Sequence, residues 1–336
     1  MFSKINRCYI VAEIGGNFNN YDQAVSLINA SQEAGVDCVK LQTFTAEHIV
    51  NKKAMFDMEI TGKISQYEYF KKHEISKELF QQVVSYLESK AMDWFSTPSH
   101  QTDVDTLLSL NVKAIKIGAD DANNLPFLKY VAQTKLPVVL STGMCTFEEV
   151  KEAINTILQQ GNEKIVIMHT VSGYPTYPED VNLNILSTYK REFPEFLVGF
   201  SDHTLTPLAS IAAAAMGADV IEKHFTLDKN AEGPDHIISS NPQEMKYIVD
   251  SIREIEKMKG SGIKKPFGPE VQNRVNNRKS VIAIKAIKKG DIVTRDHIDI
   301  KRPGYGIAPK YFDQVVGRRA NRDLQPDDVL NWSDIS

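Results

Sequence analysis

The sequence predicts an α/β barrel of eight parallel strands, followed by a small and mostly β domain. Short runs rich in valine and isoleucine alternate with longer amphipathic segments within about 225 residues, and polar side chains stand where many of these runs end. With 336 residues, the chain is long enough for a barrel of about 250 residues and a second unit. A doubly wound open sheet is the main alternative, but no GxGxxG fingerprint follows the first run.

The predicted strands are short apolar runs bounded by turn residues. They are residues 8–15, 38–44, 93–98, 114–119, 137–143, 165–171, 197–203 and 219–226. Amphipathic segments between them, such as 22–35, 76–91 and 146–161, predict helices. Thr146 and Glu149 predict a capping box, and Gly217 predicts a helix end before the eighth strand.

The composition changes after about residue 258. Residues 1–258 are the predicted barrel, and residues 259–278, which are basic and contain glycine and proline, are the predicted linker. Residues 279–336 have short alternating runs around turn signals such as Gly290-Asp291, which predicts a separate small β domain.

The composition also limits the class of protein. A net charge of −4, with 42% hydrophobic and 24% charged residues, is typical of a globular enzyme and gives no general reason to bind nucleic acid or an anionic membrane. No run approaches 18 apolar residues, and no signal peptide pattern opens the chain. Cys8, Cys38 and Cys145 show no CxxC spacing and are interpreted as packing residues. A cytoplasmic location is expected.

Two lysines, Lys40 and Lys116, lie inside apolar strands, where an ammonium group costs free energy unless it has a partner. One interpretation is a buried ion pair with Glu13 or Asp121. The other is an anion site, since lysines surrounded by hydroxyl groups suit a phosphate. The hydroxyl candidates are Thr97, Ser141, Ser172 and Ser201. A Schiff-base lysine is a third hypothesis.

Two histidines, His203 and His224, end neighbouring strands, where their imidazoles could converge on a divalent metal such as manganese, zinc or iron. Each could equally be a hydrogen-bonded structural histidine, and His236 is a third candidate ligand. Asp202 is interpreted as a loop anchor. The carboxylates that could bind a polyhydroxy substrate or move protons are Glu13, Asp121, Glu222 and Asp235.

At this point the motifs resemble a known family. "AEIGGN", "VKLQTF", "FSTP", "LSTGM", "GFSDHT", "EKHFTLD" and "GPDH", followed by "KRPGYG", are similar in kind and order to the sialic acid synthase family. The resemblance implies a TIM barrel with a C-terminal antifreeze-like (SAF) domain. It also implies that phosphoenolpyruvate condenses with an N-acylmannosamine-type sugar to give a nine-carbon 2-keto acid and phosphate.

The resemblance assigns roles to individual positions. Phosphoenolpyruvate would be bound by Lys40, Thr97, Lys116, Ser141, Ser172 and Ser201. A divalent metal, with Mn²⁺ first and Mg²⁺ or Co²⁺ as alternatives, would be bound by His203 and His224. The sugar would be bound by Gln42, Tyr174, Asp235 and Arg302. Catalytic roles would fall to Glu13, Lys116 and Asp121. Because the family inserts the arginine at position 302 into the partner's barrel, a domain-swapped homodimer is expected.

The sequence departs from the family at a few positions. Phe18 replaces the usual histidine after the first strand, Ala119 replaces a serine, and Asp121 replaces a longer glutamate. Alternative hypotheses are a legionaminic or pseudaminic acid synthase of the same chemistry, although the "KIG" motif argues mildly against pseudaminic acid. A non-catalytic barrel whose SAF domain is a binding module is the alternative from another class.

Overall fold

A computed structural model describes residues 1–2, 7–58 and 62–336. The strands, in chain order, are β1 (Tyr9–Glu13), β2 (Cys38–Thr43), β3 (Met55–Met58), β4 (Gly62–Ser65), β5 (Asp93–Pro98), β6 (Ile115–Ile117), β7 (Val138–Ser141), β8 (Ile165–Thr170), β9 (Leu197–Asp202), β10 (Val220–His224), β11 (Ser280–Ala283) and β12 (Ile298–Lys301).

The α-helices follow the same order. They are α1 (Tyr21–Ala34), α2 (Ala46–Ile49), α3 (Gln66–His73), α4 (Lys77–Ser89), α5 (Gln101–Ser109), α6 (Leu125–Gln133), α7 (Phe147–Gln159), α8 (Asn184–Glu192), α9 (Leu208–Ala215), α10 (Pro234–Ile238), α11 (Pro242–Lys259), α12 (Pro269–Asn276) and α13 (Phe312–Val315). Among the described residues, no helix is both long and apolar enough to cross a membrane.

Eight parallel strands close into a barrel in the order β1-β10-β9-β8-β7-β6-β5-β2. Strands that are covered by helices outside and by side chains inside must be apolar on both faces, and β7 and β8 are buried along their whole length. The predicted barrel, with its eight strands in sequence order, is therefore confirmed. Since the strands are parallel, their carboxyl ends all lie at one rim.

The helices begin and end where their sequences predict. Thr146 and Glu149 form the expected capping box at the start of α7, which satisfies backbone N–H groups that the helix leaves unpaired. Gly35 ends α1 with φ of 85°, and Gly217 follows α9 with φ of 98°. Glycine adopts this left-handed conformation without the steric cost that a Cβ would impose.

An insertion separates β2 from α4 and was not predicted from the sequence. It contains α2, the antiparallel hairpin of β3 and β4, and α3. Its aromatic rings pack on one another: the Phe70 centroid lies 5.4 Å from that of Phe44 and 5.9 Å from that of Phe56. The insertion follows the carboxyl end of β2, and this places it at the rim where the strands end.

The chain divides into two compact units, Met1–Gly260 and Ser261–Ser336. The second unit has its own apolar core and a short antiparallel pair, β11 and β12. Most of the segment predicted as a linker, residues 259–278, falls in this unit and includes α12. The expected small β domain at the C-terminus is confirmed.

Candidate active site

A cavity of about 410 Å³ opens at the carboxyl ends of the barrel strands. Twelve of the site residues predicted from the sequence line it: Lys40, Gln42, Thr97, Lys116, Asp121, Ser141, Ser172, Tyr174, Ser201, His203, His224 and Asp235. Glu13, a thirteenth, is fully buried beneath it and contacts Lys40. Arg302 is exposed in the second unit, and its role stays a prediction.

Four buried charged residues form the floor of the cavity, and we call Glu13, Lys40, Lys116 and Glu222 the charge cluster. The Lys40 ammonium lies 2.9 Å from a carboxylate oxygen of Glu13 and 2.9 Å from one of Glu222. Lys116 donates to both oxygens of Glu222, at 3.0 and 2.8 Å. Both lysines therefore have partners, which is how a buried ammonium group is tolerated.

The protonation of the charge cluster follows from burial and from these contacts. Burial lowers the pKa of Lys40, but the carboxylates of Glu13 and Glu222 outweigh it and leave the pKa raised. Burial raises the pKa of Glu13 to about 7 and lowers the pKa of Lys116 to about 8. Burial also opposes ionisation of Glu222, yet Lys116 and Lys40 hold the pKa of Glu222 well below its usual value. The cluster holds two ammonium groups and one permanent carboxylate near neutral pH.

Hydroxyl groups line the same cavity as these lysines, as an anion site requires. Lys40 donates to the Thr97 hydroxyl at 3.4 Å, and the Ser201 hydroxyl donates to Glu222 at 3.2 Å. The loop after β7 approaches closely, because a Cβ on Gly143 would collide with the Ser172 hydroxyl. Glycine at 143 thus lets the backbone come close to Ser172, which lines the same cavity as the lysines.

The two predicted metal ligands lie side by side, with ring centroids 5.5 Å apart. His203 places Nδ1 2.8 Å from the Val171 carbonyl, which can only accept, so Nδ1 carries the proton and Nε2 keeps its lone pair. Nδ1 of His224 is buried and has no hydrogen-bond partner among the described residues. Burial lowers the pKa of His203 to about 4 and that of His224 well below its usual value, so both are neutral imidazoles.

These features fit a divalent metal held by two imidazoles, because metal ligation requires neutral histidine with a free lone pair. Within the described ranges, no group of three or more histidine, cysteine or acidic side chains is arranged around one point. The Asp235 carboxylate lies 3.9 Å from Nδ1 of His224.

Two of the residues predicted to bind the sugar, Tyr174 and Asp235, lie beside the histidines. Tyr174 stacks on His203 with ring centroids 4.4 Å apart, and the Gln42 amide donates to Glu13 at 3.2 Å. Burial raises the pKa of Asp235 to about 6. Asp121 lies at the cavity edge and accepts a hydrogen bond from the Asn124 amide at 2.8 Å, so its short side chain is held toward the loop.

Sequence reasoning missed part of this site. Glu222 was considered only as one acid among several, whereas it joins both lysines. The aromatic residues of the insertion line the cavity and were not considered for the site, and Asp120, which also lines it, was assigned no role. The alternation of β10 could have indicated Glu222, because it shares a face with His224 two residues later. Phe18, where the family has histidine, is a buried core residue.

The opposite face of the same strand ends carries a second buried ion pair. Lys223 lies 3.4 Å from Asp202 and also donates to the Thr204 carbonyl. Asp202 accepts from the Thr204 amide at 2.8 Å and from the Ser210 hydroxyl at 2.6 Å. The loop that follows His203 is therefore fixed at both its N–H and its C=O, as the interpretation of Asp202 as a loop anchor predicts.

Comparison with known proteins agrees with this geometry. Residues 27–264 match the NeuB family, and residues 278–336 match the SAF domain. The chain is 40% identical to N,N'-diacetyllegionaminic acid synthase of Legionella pneumophila, over 98% of this chain and 94% of that protein. It is 33% identical to human N-acetylneuraminate-9-phosphate synthase, over 96% and 91%.

A solved structure agrees as well. The spore coat polysaccharide biosynthesis protein SpsE of Bacillus subtilis is 36% identical, with a TM-score of 0.67 over 98% of this chain and 95% of that one. The family resemblance inferred from the motifs is confirmed by these matches. The chain is an enzyme of the NeuB family and ends in a SAF domain.

Proposed function

We propose that this enzyme condenses phosphoenolpyruvate with the open-chain form of an N-acylmannosamine-type amino sugar, giving a nine-carbon 2-keto acid and phosphate. The observation that carries the proposal is the pair of buried lysines, Lys40 and Lys116, with hydroxyl groups around them and two neutral histidines beside them. The names of the Legionella and human relatives support the same class of product.

The charge cluster would bind the anionic substrate. Lys40 and Lys116 would attract its phosphate and carboxylate, and the serine and threonine hydroxyls would supply neutral hydrogen bonds. Since Glu13 and Glu222 already hold both ammonium groups in place, the substrate meets a preorganised site. The carboxylates raise the pKa of Lys40, so Lys40 stays protonated before the substrate arrives and is not available as a Schiff-base nucleophile. Burial lowers the pKa of Lys116 to about 8, and Lys116 is paired with Glu222.

The reaction forms a carbon–carbon bond and a carbon–oxygen bond to water, and it breaks the carbon–oxygen bond to phosphate. Carbon 3 of phosphoenolpyruvate attacks the aldehyde carbon of the sugar, water adds to carbon 2, and cleavage of the carbon–oxygen bond releases phosphate. Lys40 and Lys116 would offset the anionic charge throughout these steps. Glu13, with its pKa near 7, would hold or release the proton of the attacking water near neutral pH, and Asp121 would orient that water.

A divalent metal, Mn²⁺ by preference, would be held by His203 and His224. It would supply Lewis-acid polarisation of the sugar's aldehyde oxygen. Val171 fixes the His203 ring through its carbonyl, and Tyr174 covers that ring, so the imidazole keeps its direction without the metal. Gln42 and Asp235 would bind hydroxyl groups of the sugar on either side.

The oligomeric state and the alternative substrates are proposed from the resemblance to the family. We infer a homodimer in which Arg302 of each chain completes the partner's site by binding the sugar's N-acyl group. A legionaminic acid synthase uses the same chemistry on a diacetamido-trideoxyhexose, and the Legionella relative favours it over a pseudaminic acid synthase. A non-catalytic barrel would have no need for paired lysines and neutral histidines at one rim.

The test is a phosphate-release assay with phosphoenolpyruvate, Mn²⁺ and a panel of acylated hexosamines. Phosphate is expected only when both substrates are present, and chelation should abolish its release until Mn²⁺ is restored. Lys116→Met should weaken phosphoenolpyruvate binding about 10- to 100-fold, because it removes a charged hydrogen-bond donor. Lys72→Met, at an exposed lysine that does not line the cavity, is the control. Full activity after chelation would contradict the metal role.

A further inference from the structure

The loop after β1 contains a buried asparagine that has no part in the proposed reaction. Asn17 ends the "GGN" stretch of this loop, and it is buried although it does not line the cavity. The two glycines let the backbone pass closely, since a Cβ on Gly15 would collide with the Glu13 carboxylate and Gly16 has a φ of 79°. A buried amide group needs hydrogen-bond partners, and these partners indicate what Asn17 does.

The Asn17 side chain joins the loop after β1 to two segments that follow β10. Its Nδ2 donates to the Phe225 carbonyl at 2.9 Å and to the Ser239 hydroxyl at 3.2 Å. Because a carbonyl can only accept, Phe225 fixes which end of the amide points toward it. Oδ1 is then left buried, without a hydrogen-bond partner among the described residues. An unsatisfied acceptor is unfavourable for stability, so this pattern favours a role in holding the two segments over a role in packing.

Both segments belong to the candidate active site. Phe225 directly follows His224, and Ser239 directly follows α10, whose first turn contains Asp235. The Ser239 hydroxyl donates to the Asp235 carbonyl at 2.6 Å. One side chain, that of Asn17, therefore connects the backbone beside the His224 imidazole to the backbone of Asp235.

The position of the Asp235 carboxylate depends on this backbone. The carboxylate lies 3.9 Å from Nδ1 of His224, and a Cβ on Gly16 would lie 3.3 Å from it. In the part of the chain that the structure describes, no donor forms a hydrogen bond to the Asp235 side chain. The carboxylate is therefore placed by α10 and by the residues that hold α10, which are Ser239 and, through it, Asn17.

A second bond also holds α10. The Thr226 hydroxyl donates to the Asp228 carbonyl at 3.0 Å, so it accepts from Nδ1 of His236, which lies 2.7 Å away. His236, a third candidate metal ligand in the sequence, uses this nitrogen to tie α10 to the loop after β10. Asn17 ties the end of the same helix to the loop after β1, so α10 is bonded to both neighbouring loops.

We propose that Asn17 is a positioning residue for Asp235: by bonding Phe225 and Ser239, it fixes the spacing between the Asp235 carboxylate and the His224 imidazole. This inference rests on the proposed function, in which Asp235 binds a hydroxyl group of the sugar. Loss of the amide releases the backbone of α10, and the carboxylate then no longer keeps one position at the cavity. The charge cluster is held by its own ion pairs and is not affected.

Hydrogen exchange tests these bonds without any need for activity. In Asn17→Ala, the backbone amides of residues 235–240 should exchange at least about tenfold faster than in the wild type, because α10 has lost its link to the first strand. Asn162→Ala is the matched control: Asn162 is also buried, and its Nδ2 also donates to two carbonyls, those of Ala132 and Leu136. It should leave exchange in residues 235–240 unchanged. Equal exchange in Asn17→Ala and the wild type would overturn the inference.

Kinetics test whether the bonds of Asn17 serve the reaction. With Mn²⁺ and the sugar of the panel that is most active with the wild type, kcat/KM for the sugar should fall about 10- to 100-fold in Asn17→Ala, because a reacting group is misplaced. The dissociation constant of phosphoenolpyruvate, measured by calorimetry, should change less than about twofold, since Lys40 and Lys116 lie on β2 and β6. Asn162→Ala should change neither quantity. An equal loss of phosphoenolpyruvate affinity in Asn17→Ala would indicate a general disturbance of the barrel and contradict the positioning role.

The failure of this inference is distinguishable from the failure of the proposed function. A wild-type protein that releases no phosphate with any sugar contradicts the proposed function, while faster exchange in Asn17→Ala still supports the bonds to α10. In an active enzyme, faster exchange with an unchanged kcat/KM would make Asn17 a purely structural residue and overturn the positioning role.

Ser239→Ala tests the link between Asn17 and Asp235. It should lower kcat/KM for the sugar in the same direction as Asn17→Ala. The double variant should lose less than the product of the two single losses, because both changes break the same chain of bonds. Losses that multiply in full would show that Asn17 does not act on Asp235 through Ser239.

Discussion

At the scale of single residues, the charge cluster explains how two lysines can stand in apolar strands. The sequence left two interpretations of Lys40 and Lys116 open: buried ion pairs or an anion site. The structure shows ion pairs, with Glu222 as the shared partner where Asp121 had been considered. The two interpretations are compatible, because the carboxylates keep the lysines charged and aligned until an anion competes for them.

Glu13 gives the cluster a dependence on pH. Burial raises its pKa to about 7, so it is half protonated in neutral solution. A bound anion raises this pKa further, and binding therefore takes up a proton. Above pH 7 the affinity for phosphoenolpyruvate should fall, by up to about tenfold per pH unit. The measurement is the dissociation constant by calorimetry across this range.

Glu13→Gln is the control for this pH dependence. The amide stays neutral, so the affinity of the variant should stay high between about pH 7 and pH 8. Above that, loss of the Lys116 proton should weaken binding in both proteins. The same slope in the variant and the wild type between pH 7 and pH 8 would show that another group takes up the proton.

Positions in the cavity were predicted well where an unusual residue type stands in an apolar strand. A lysine or a histidine at such a position is visible in the sequence, and Lys40, Lys116, His203 and His224 were found in this way. Glu222 lies in the same strand as His224, but its role depends on which distant strands are neighbours across the barrel. That pairing exists only in the folded barrel, where Lys40 and Lys116 come from β2 and β6.

At the scale of elements, side chains alternate along β9 and β10, so that one face of these strands lines the cavity and the other face holds the structure in place. Ser201, Glu222 and His224 face the cavity, while Lys223 forms a buried ion pair with Asp202 on the other face. Both charges are almost fully buried, and together they hold the loop after His203. One face of the strand ends lines the cavity, and the other fixes the backbone that positions the lining residues.

Removal of one partner of this pair should be costly. Lys223→Met leaves the Asp202 carboxylate buried without a cation, and the free energy of unfolding should fall by about 3–5 kcal/mol. The double variant Lys223→Met with Asp202→Asn should lose less free energy of unfolding than the sum of the losses in the two single variants, because it leaves no uncompensated charge. Urea unfolding of the four proteins measures this coupling. Additive losses would mean that the ion pair does not couple the two residues.

The insertion shows what element prediction could not reach. The sequence between β2 and α4 gives no strong period, because β3 and β4 have only four residues each and belong to a two-stranded hairpin. The sequence shows that the insertion contains aromatic residues, but it does not show that their rings form one surface. The rings form this surface only because α3 and the hairpin pack around Phe70.

At the scale of the whole molecule, the barrel and the C-terminal domain were both predictable from the sequence. The number of barrel strands follows from the alternation of apolar runs with helical segments, and the family motifs identify the SAF domain. The boundary between the two units was harder to predict from the sequence, because α12 lies in a polar segment that was interpreted as a linker. A helix with no buried residues leaves little hydrophobic pattern in a sequence.

The proposed homodimer predicts complementation between two defective chains. Arg302→Ala removes the arginine that one chain would supply. Lys116→Met weakens phosphoenolpyruvate binding in the barrel of the other, which is therefore inactive when phosphoenolpyruvate is limiting. When the two inactive proteins are mixed and allowed to exchange, about a quarter of the sites should combine an intact barrel with an intact Arg302. Phosphate release measures the recovered fraction. If the mixture stays inactive although mass spectrometry shows that the dimers have exchanged chains, each chain uses its own Arg302 or none.

The most direct test of the central claim is the composition of the product. The enzyme is incubated with phosphoenolpyruvate, Mn²⁺ and an unphosphorylated N-acylmannosamine, and the product is identified by mass spectrometry. The account predicts one new compound composed of the sugar, phosphoenolpyruvate and water less phosphoric acid, with one phosphate released per molecule formed. Release of pyruvate and phosphate without a new carbon–carbon bond would contradict it.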